Sequence, residues 1–341
     1  RKVLILHDAL KQVMQGWNLK GFFGYPGFGG TVSWSLAYPE LMAGSGHMDA
    51  AKLFDAAGFD GILTPHDYQA RGIGGVYLPE GMADSAVLRG KYFWGEMDTR
   101  SGDKDIGTAR NYREWAAITW RNYATGWTRG FNSYWMYGFF IADWFGDKPV
   151  QDVIRRQTEV VRESLDWNHE TVPGIAMIID DTAVLETNGS GNFLNEAVMW
   201  EEKMGIARCG VPHNIYVFDD LSLDNFPKHR VYYFPNLFRV DDKRLELLKK
   251  KVFRDGAVVV WGPGSGISDG ETIGTASAAK LTGFDFEMLP VNAQRRILIS
   301  NFTHPITRTL PADMVIGGPL PYGPVLMPKN CTELGLAWAK G

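Results

Sequence analysis

The sequence predicts an α/β protein that contains two successive parallel sheets. Units of helix, turn and strand repeat through the first 172 residues, and polar residues follow several of the predicted strands. From residue 173 onward the units are shorter, and their strands are continuously apolar, as in sheets covered on both faces. We therefore divide the chain into residues 1–172 and 173–341, with the boundary in the segment LDWNHETVPG.

The composition narrows the class of protein. A chain of 341 residues with 45% hydrophobic content is large enough for two domains with full cores. The net charge of -4 and the pI near 6.0 provide no basic surface for phosphate backbones, so we expect no nucleic-acid partner. The run GFNSYWMYGFF is too short and too polar to cross a bilayer, so we expect no membrane partner. Cys209 and Cys331 are too few for a disulfide framework, and we expect buried free thiols.

The first part begins with a predicted helix at residues 1–15, where apolar residues recur at helical spacing before Gly16. A short strand in LKGFFGYPG comes next. Three further units of helix, turn and strand lie in DAAKLFDAAGFDGILTPHDYQAR, MADSAVLRGKYFWGEMD and REWAAITWRNYATGWTRGFNSYWMYGFF. These units predict a parallel sheet covered by helices, and both a barrel and an open sheet satisfy the pattern.

The second part predicts a doubly wound sheet. Its predicted strands are GIAMIIDD, HNIYVFDD, HRVYYFPN and AVVVWGPGSG, and its predicted helices are NEAVMWEEKMGIARCG and DDKRLELLKKKVFRDG. A glutamine amidotransferase would need a nucleophilic cysteine at a sharp turn between a strand and a helix. Because Cys209 falls at the end of a predicted helix, we expect a structural domain without glutaminase activity.

Aromatic residues are abundant, with 12 Trp, 13 Tyr and 19 Phe, and many precede residue 146. Sugar rings stack their C–H faces on aromatic planes, while their hydroxyls bind carboxylates and amides. For any single tryptophan, packing in an aromatic-rich core is the favoured explanation, by about two to one. Within this region Glu96 ends the predicted aromatic strand KYFWGE, where it either caps a turn or acts as a catalytic residue.

One segment resembles a known family. The stretch QARGIGGVYLPEGMADSAVLRGKYFWGEMDTRS is similar to the nucleophile region of glycoside hydrolase family 42 β-galactosidases. The matching positions are Arg71, Gly72, Gly74, Gly75, Gly90, Lys91, Glu96, Asp98, Thr99 and Arg100. FFGYPG resembles the sixth barrel strand of the family, and TRGFNSYWMYGFFIADWFGD resembles the eighth. The resemblance implies the later strands of a (β/α)8 TIM barrel, followed by a flavodoxin-like or class I amidotransferase-like domain used for assembly.

The resemblance implies that Glu96 is the nucleophile of a retaining glycosidase. Arg71 and Arg100 would supply positive charge near it, and Tyr25 would donate a hydrogen bond to it, although core packing explains Tyr25 equally well. The expected sugar-binding residues are Tyr25, His66, Asp67, Arg71, Trp94 and Trp135. For His66 the simpler interpretation is a structural or solvated loop histidine, and Asp67 would be a second polar contact.

A retaining mechanism needs a second carboxyl group about 5–5.5 Å from the nucleophile. The resemblance places that acid/base glutamate, in an Asn-Glu pair, upstream of the residues present here. The pair Asn195-Glu196 falls on a predicted helix of the second part and does not match it. We therefore expect the sequence to belong to a longer protein.

The sequence thus predicts a retaining, β-galactosidase-like glycoside hydrolase that needs no metal or organic cofactor. A glycosidase for another sugar, such as a mannoside or fucoside, and a non-catalytic carbohydrate-binding or assembly subunit stay open as alternatives. The resemblance implies a carbohydrate substrate and a homo-oligomer, commonly a trimer. It favours a cytoplasmic location, with a periplasmic or secreted one left open.

Overall fold

The computed structural model describes residues 12, 22–24, 50–55, 60–65, 72–77, 82–97, 99, 109–135, 146–186 and 202–339. The predicted helix at residues 1–15 falls outside these ranges, except for Gln12, which is helical.

Four parallel strands form the first sheet, in the order in which they occur along the chain. They are β1 (Phe22–Gly24), β2 (Gly61–Pro65), β3 (Tyr92–Met97) and β4 (Asn132–Trp135). The predicted parallel sheet of the first part is therefore confirmed for these strands. Its closure into a barrel stays a prediction.

Helices connect the strands of this sheet and continue beyond it. They are α1 (Ala50–Phe54), α2 (Ala83–Leu88), α3 (Tyr112–Arg129) and α4 (Lys148–Ser164). The long helix α3 begins where the Asn111 side chain accepts a hydrogen bond from the backbone N–H of Glu114 at 3.0 Å. It ends at Gly130, whose φ of 74° is the left-handed conformation that glycine adopts without strain.

The second parallel sheet consists of β5 (Ile175–Ile179), β6 (His213–Val217), β7 (Val231–Phe234) and β8 (Val258–Trp261), with helices α5 (Glu202–Arg208) and α6 (Asp242–Lys251) between them. The order of its strands is β6–β5–β7–β8. The chain runs outward from β5 to β6 and then crosses to β7 on the other side of β5, which is the order of a flavodoxin-like sheet. The predicted strands are present, whereas the correspondence to an amidotransferase-like domain stays a prediction.

The last described residues form antiparallel strands that the sequence pattern did not predict. After α7 (Ala276–Thr282) come β9 (Asp285–Leu289), β10 (Ala293–Ile299), β11 (Val315–Tyr322), β12 (Val325–Lys329) and β13 (Gly335–Ala339). Strands β9 and β12 pair with each other, and β10 lies between β11 and β13. These strands alternate less regularly than the parallel ones, and β11 contains two prolines, so periodicity did not reveal them.

A buried carboxylate joins the two parallel sheets. Asp84, in the first turn of α2, accepts hydrogen bonds from the backbone N–H of Ile215 at 2.7 Å and from the side-chain amide of Asn214 at 2.9 Å. It also forms an ion pair with Arg129 at the end of α3. Because β6 is an edge strand, this contact satisfies backbone groups that would otherwise be unpaired.

The next residue of α2 continues the same contact. The Ser85 hydroxyl donates to the Asp220 carboxylate at 2.5 Å and accepts the backbone N–H of Val217 at 3.1 Å. Asp220 is fully buried and also forms an ion pair with Arg89. Two consecutive residues of α2 thus bind two N–H groups of β6.

His229 lies in an aromatic cage just before β7, beside the second sheet. Its ring contacts Tyr216, Phe226 and Tyr232 at centroid separations of 5.8, 6.2 and 6.0 Å. Neither ring nitrogen has a hydrogen-bond partner among the described residues. Burial is the main cause that lowers the pKa of His229 from 6.5 to about 4, against a weaker opposing effect of Asp84.

The two cysteines were predicted to be buried free thiols. Cys209 and Cys331 are free thiols, as expected, but both are exposed, so the prediction that they are buried was wrong. Cys209 follows the last turn of α5, where its thiol donates to the carbonyl of Ile206 at 2.9 Å.

Among the described helices, none is both long and apolar enough to cross a membrane.

We expect Asp84→Asn to lower the free energy of unfolding by about 3 kcal/mol, because it leaves the partly buried Arg129 guanidinium without its buried carboxylate. Urea unfolding followed by circular dichroism would measure the change. The matched control is Asp255→Asn, which removes an exposed ion pair with Lys228 and should leave the free energy of unfolding nearly unchanged, because solvent screens such a pair. Equal effects of the two variants would show that the Asp84 pair does not hold the sheets together.

We expect the protein to lose stability as the pH falls from about 6.5 to about 4. The unfolded chain binds a proton at His229 near pH 6.5 and the folded chain only near pH 4, so acid favours unfolding across this window. The contribution is roughly 3 kcal/mol. In His229→Phe, which keeps an aromatic ring in the cage, the free energy of unfolding should depend less on pH in this window. An unchanged dependence would contradict the assignment to His229.

Candidate active site

The site predicted from the sequence lies at the edge of the first sheet where its parallel strands end. Pro65 in β2 pairs with Glu96 in β3, and Glu96 pairs with Tyr134 in β4. The carboxyl ends of parallel strands carry the catalytic residues in (β/α)8 barrels. Glu96 therefore occupies a position suited to catalysis.

Glu96 and Trp94 lie on the same face of β3, because side chains alternate along a strand. Phe93 and Met97 on the opposite face are 1% and 0% exposed and pack in the core with residues of α1, α2 and α3. Trp94 is 38% exposed, whereas Glu96 is 1% exposed. A buried carboxylate therefore lies two residues after a partly exposed indole on one face of the sheet.

The backbone just before Glu96 contacts a buried tyrosine. A Cβ atom placed on Gly95 would overlap the Tyr77 hydroxyl and lie 3.5 Å from the Cζ atom of that ring. Tyr77 is 5% exposed and stacks against Phe131 at a centroid separation of 6.4 Å. Glycine is thus required at position 95 for the tyrosine to reach the strand.

The backbone just after β3 is also held. Thr99 is fully buried, and its carbonyl accepts a hydrogen bond from the indole N–H of Trp115 at 2.8 Å. Trp115 belongs to the first part of α3. The helix that follows β3 in the chain therefore binds the backbone just after that strand.

The same helix contacts the glycine-rich loop at residues 72–75, which lies in the segment that resembles glycoside hydrolase family 42. Arg121 donates from Nη1 to the Gly72 carbonyl at 2.9 Å, and the Gly75 N–H donates to the same carbonyl at 3.0 Å. Gly74 between them has a φ of 75°, which favours glycine. Burial lowers the pKa of Arg121 to about 10, so this side chain remains a cation at neutral pH.

The structure describes only some of the predicted site residues. Glu96 and Trp94 are described fully, and the backbone of Trp135 pairs with Met97 at the end of β4. Tyr25, His66, Asp67 and Arg71, together with Asp98 and Arg100, lie outside the described residues. Their roles and the role of the Trp135 side chain remain predictions.

Sequence reasoning missed Tyr77, Trp115 and Arg121 as residues that support the site. Trp115 and Arg121 occur in a helix without a motif, and Tyr77 is not one of the matching positions of the segment that resembles the family. Each one acts through a contact between residues distant in the chain. A helix with tryptophan or arginine at helical spacing reads as an ordinary amphipathic helix.

A separate cleft of about 790 Å³ lies between α3 and β6, and Glu96 is not among the residues that line it. Its walls include Arg121, Arg129, His169, His213 and Tyr216. We assign the candidate active site to the carboxyl ends of the strands rather than to this cleft. In (β/α)8 barrels, the side chains at the ends of neighbouring parallel strands lie close together and carry the catalytic groups. In the described part of the chain, no cluster of three His, Cys, Asp or Glu side chains could hold a metal ion.

Comparison with known proteins finds likeness in fold. No protein-family model matches the chain, and no curated protein is detectably similar in sequence. The chain is similar to a catalytic mutant of Gan42B, a GH42 β-galactosidase from G. stearothermophilus, with a TM-score of 0.50 and 11% identity over 91% of this chain and 52% of that one.

Two other solved structures are also similar. A second structure of Gan42B gives a TM-score of 0.45 and 14% identity over 64% of this chain and 35% of that one. A β-galactosidase from the psychrophilic Marinomonas ef1 gives 0.41 and 11% over 61% and 36%. The chain spans about half or less of the length of these proteins. At such identities the similarity extends to the mixed α/β fold with parallel sheets.

We expect Gly95→Ala to destabilise the protein by about 2 kcal/mol, because its methyl group would overlap the Tyr77 hydroxyl. Tyr77→Phe removes that oxygen and should recover most of the loss in the double variant. Thermal or urea unfolding of the wild type, the two single variants and the double variant forms a mutant cycle. Additive effects of the two changes would exclude direct contact between them.

Proposed function

We propose that this protein is part of a retaining glycoside hydrolase that cleaves terminal β-galactosides, with Glu96 as the nucleophile. The observation that carries the proposal is the location of Glu96, a buried carboxylate at the carboxyl end of a parallel strand and on the same face as the partly exposed Trp94. Catalytic residues recur at this position in parallel α/β barrels.

The chemistry requires an ionised carboxylate that attacks the anomeric carbon. A bond forms between a Glu96 oxygen and that carbon, while the bond to the leaving oxygen breaks and a second carboxylic acid protonates it. Water activated by the same second group then hydrolyses the glycosyl-enzyme ester and restores Glu96. Burial of Glu96 favours this course, because solvent is kept from the ester until a positioned water attacks it.

Trp94 is suited to bind the sugar. An exposed indole beside a carboxylate offers one apolar plane for C–H faces and one charged group for the reacting centre. Tyr25, His66, Asp67, Arg71 and Trp135 are proposed to contact the substrate, since each follows or ends a strand of the first sheet in the sequence or begins the glycine-rich loop.

The fold likeness to a GH42 β-galactosidase supports this reaction class. The chain covers 52% of that protein, so the acid/base carboxyl is proposed to come from outside the residues present here. The galactoside specificity belongs to the same proposal, and its support is that the similar protein is a β-galactosidase.

The proposal predicts covalent labelling of Glu96. The full-length protein incubated with a 2-deoxy-2-fluoro-galactosyl fluoride should gain the mass of one sugar, and peptide mapping should locate it on Glu96. Glu96→Gln should abolish labelling and lower kcat by about 10⁴-fold or more, because the neutral amide cannot act as the nucleophile. Glu246→Gln, an exposed helical glutamate paired with Lys249, is the matched control and should react as the wild type does.

The outcome of the labelling also separates the alternatives. Labelling by a gluco or manno reagent instead of the galacto reagent would change the sugar and keep the mechanism. A folded protein that accepts none of the three would contradict the assignment of Glu96 and favour a carbohydrate-binding or assembly subunit.

A further inference from the structure

The indole of Trp115 binds the backbone three residues after the proposed nucleophile, Glu96. Thr99 lies three residues after Glu96 and is fully buried. Its carbonyl accepts the Trp115 N–H at 2.8 Å, and the contact lies in the protein interior. A buried carbonyl that lost this donor would have to find another or move towards water.

Trp115 has little freedom to move. It is 0% exposed and packs with Ala109, Ile118 and Val150, which are also buried. Val150 belongs to α4, so two helices of 18 and 17 residues enclose the ring. The position of the indole N–H is therefore determined by the packing of α3 against α4.

The chain between the strand and this hydrogen bond is short. Met97, which follows Glu96, is itself 0% exposed and packs in the core on the opposite face of β3. The backbone is thus held at Met97 by apolar packing and at Thr99 by the indole. A displacement of about 1 Å in a reacting group lowers catalytic rates by up to roughly a hundredfold.

We propose that Trp115 is a positioning residue, which keeps the Glu96 carboxylate in the orientation that attack on the anomeric carbon requires. It does so through the Thr99 carbonyl, without touching the substrate. The inference rests on the proposed glycosidase function of Glu96. It adds a role for the outer helix layer, because the packing of α3 on α4 then sets the geometry of the strand end.

The test compares two tryptophans of the same helix. Trp115→Phe keeps an aromatic ring and removes the donor to Thr99. Trp127→Phe makes the same chemical change at a buried tryptophan whose indole N–H has no hydrogen-bond partner among the described residues. In the full-length protein we would measure kcat and KM for an aryl β-galactoside, the rate constant of labelling by the 2-fluoro reagent, and the unfolding midpoint.

We expect Trp115→Phe to lower kcat and the labelling rate constant by about tenfold or more, with KM within about twofold of the wild type. Trp127→Phe should retain both rates even if it lowers the unfolding midpoint by as much. The separation of kcat from KM distinguishes positioning from a general loss of stability. Equal rates for the two variants would overturn the inference.

A third variant covers the case in which Trp115→Phe does not fold. Val150→Ala leaves the indole in place and loosens its packing from the side of α4. We expect a loss in kcat of about threefold to tenfold with KM unchanged, and an unaltered kcat would contradict the inference. If the wild type is active and labelled, and Val150→Ala and Trp115→Phe have the same kcat and labelling rate constant as the wild type, this inference alone is overturned. An unlabelled and inactive wild type overturns the proposed function and the inference with it.

Discussion

The arrangement of this protein depends on one buried carboxylate. Asp84 accepts hydrogen bonds from Arg129 at the end of α3, from the Asn214 amide and from the Ile215 backbone. Both sheets are therefore connected at a group that is 6% exposed and surrounded by donors. Burial of a charge is tolerated only where donors compensate for lost water, and here the edge of β6 supplies part of that compensation. The edge strand gains protection in return.

Helix α3 connects this junction to the candidate active site. Its last turn provides Arg129 to Asp84, its middle provides Arg121 to the glycine-rich loop, and its first part provides Trp115 to Thr99. One rigid element thus contacts the sheet junction, the loop and the strand end. A helix has the stiffness for this purpose, because the backbone groups of its interior are hydrogen-bonded within it. The orientation proposed for Glu96 therefore depends on residues of α3 that take no part in the proposed reaction.

Much of the fold followed from periodicity. Strands β3, β5 and β7 are short apolar or aromatic runs between helices, and each was predicted and is present. The position of Glu96 at the end of β3 was also predicted, since a glycine and an acid follow the aromatic run. The antiparallel strands beyond α7 were not predicted, because β11 combines glycines and prolines that usually mark loops. The burial of the two cysteines was predicted wrongly, because exposure of a single thiol depends on how its turn is oriented.

The sequence alone determined where the strands of the two parallel sheets occur and which acid ends an aromatic strand, because these properties depend on neighbours in the chain. The tertiary structure decided that Gly95 accommodates Tyr77, that Trp115 binds Thr99 and that Asp84 joins β6 to α3. These contacts link residues that are 16 to more than 100 positions apart, and local patterns carry no information on such pairs. The proposed nucleophile is a single side chain, whereas the orientation proposed for it depends on the packed layers around it.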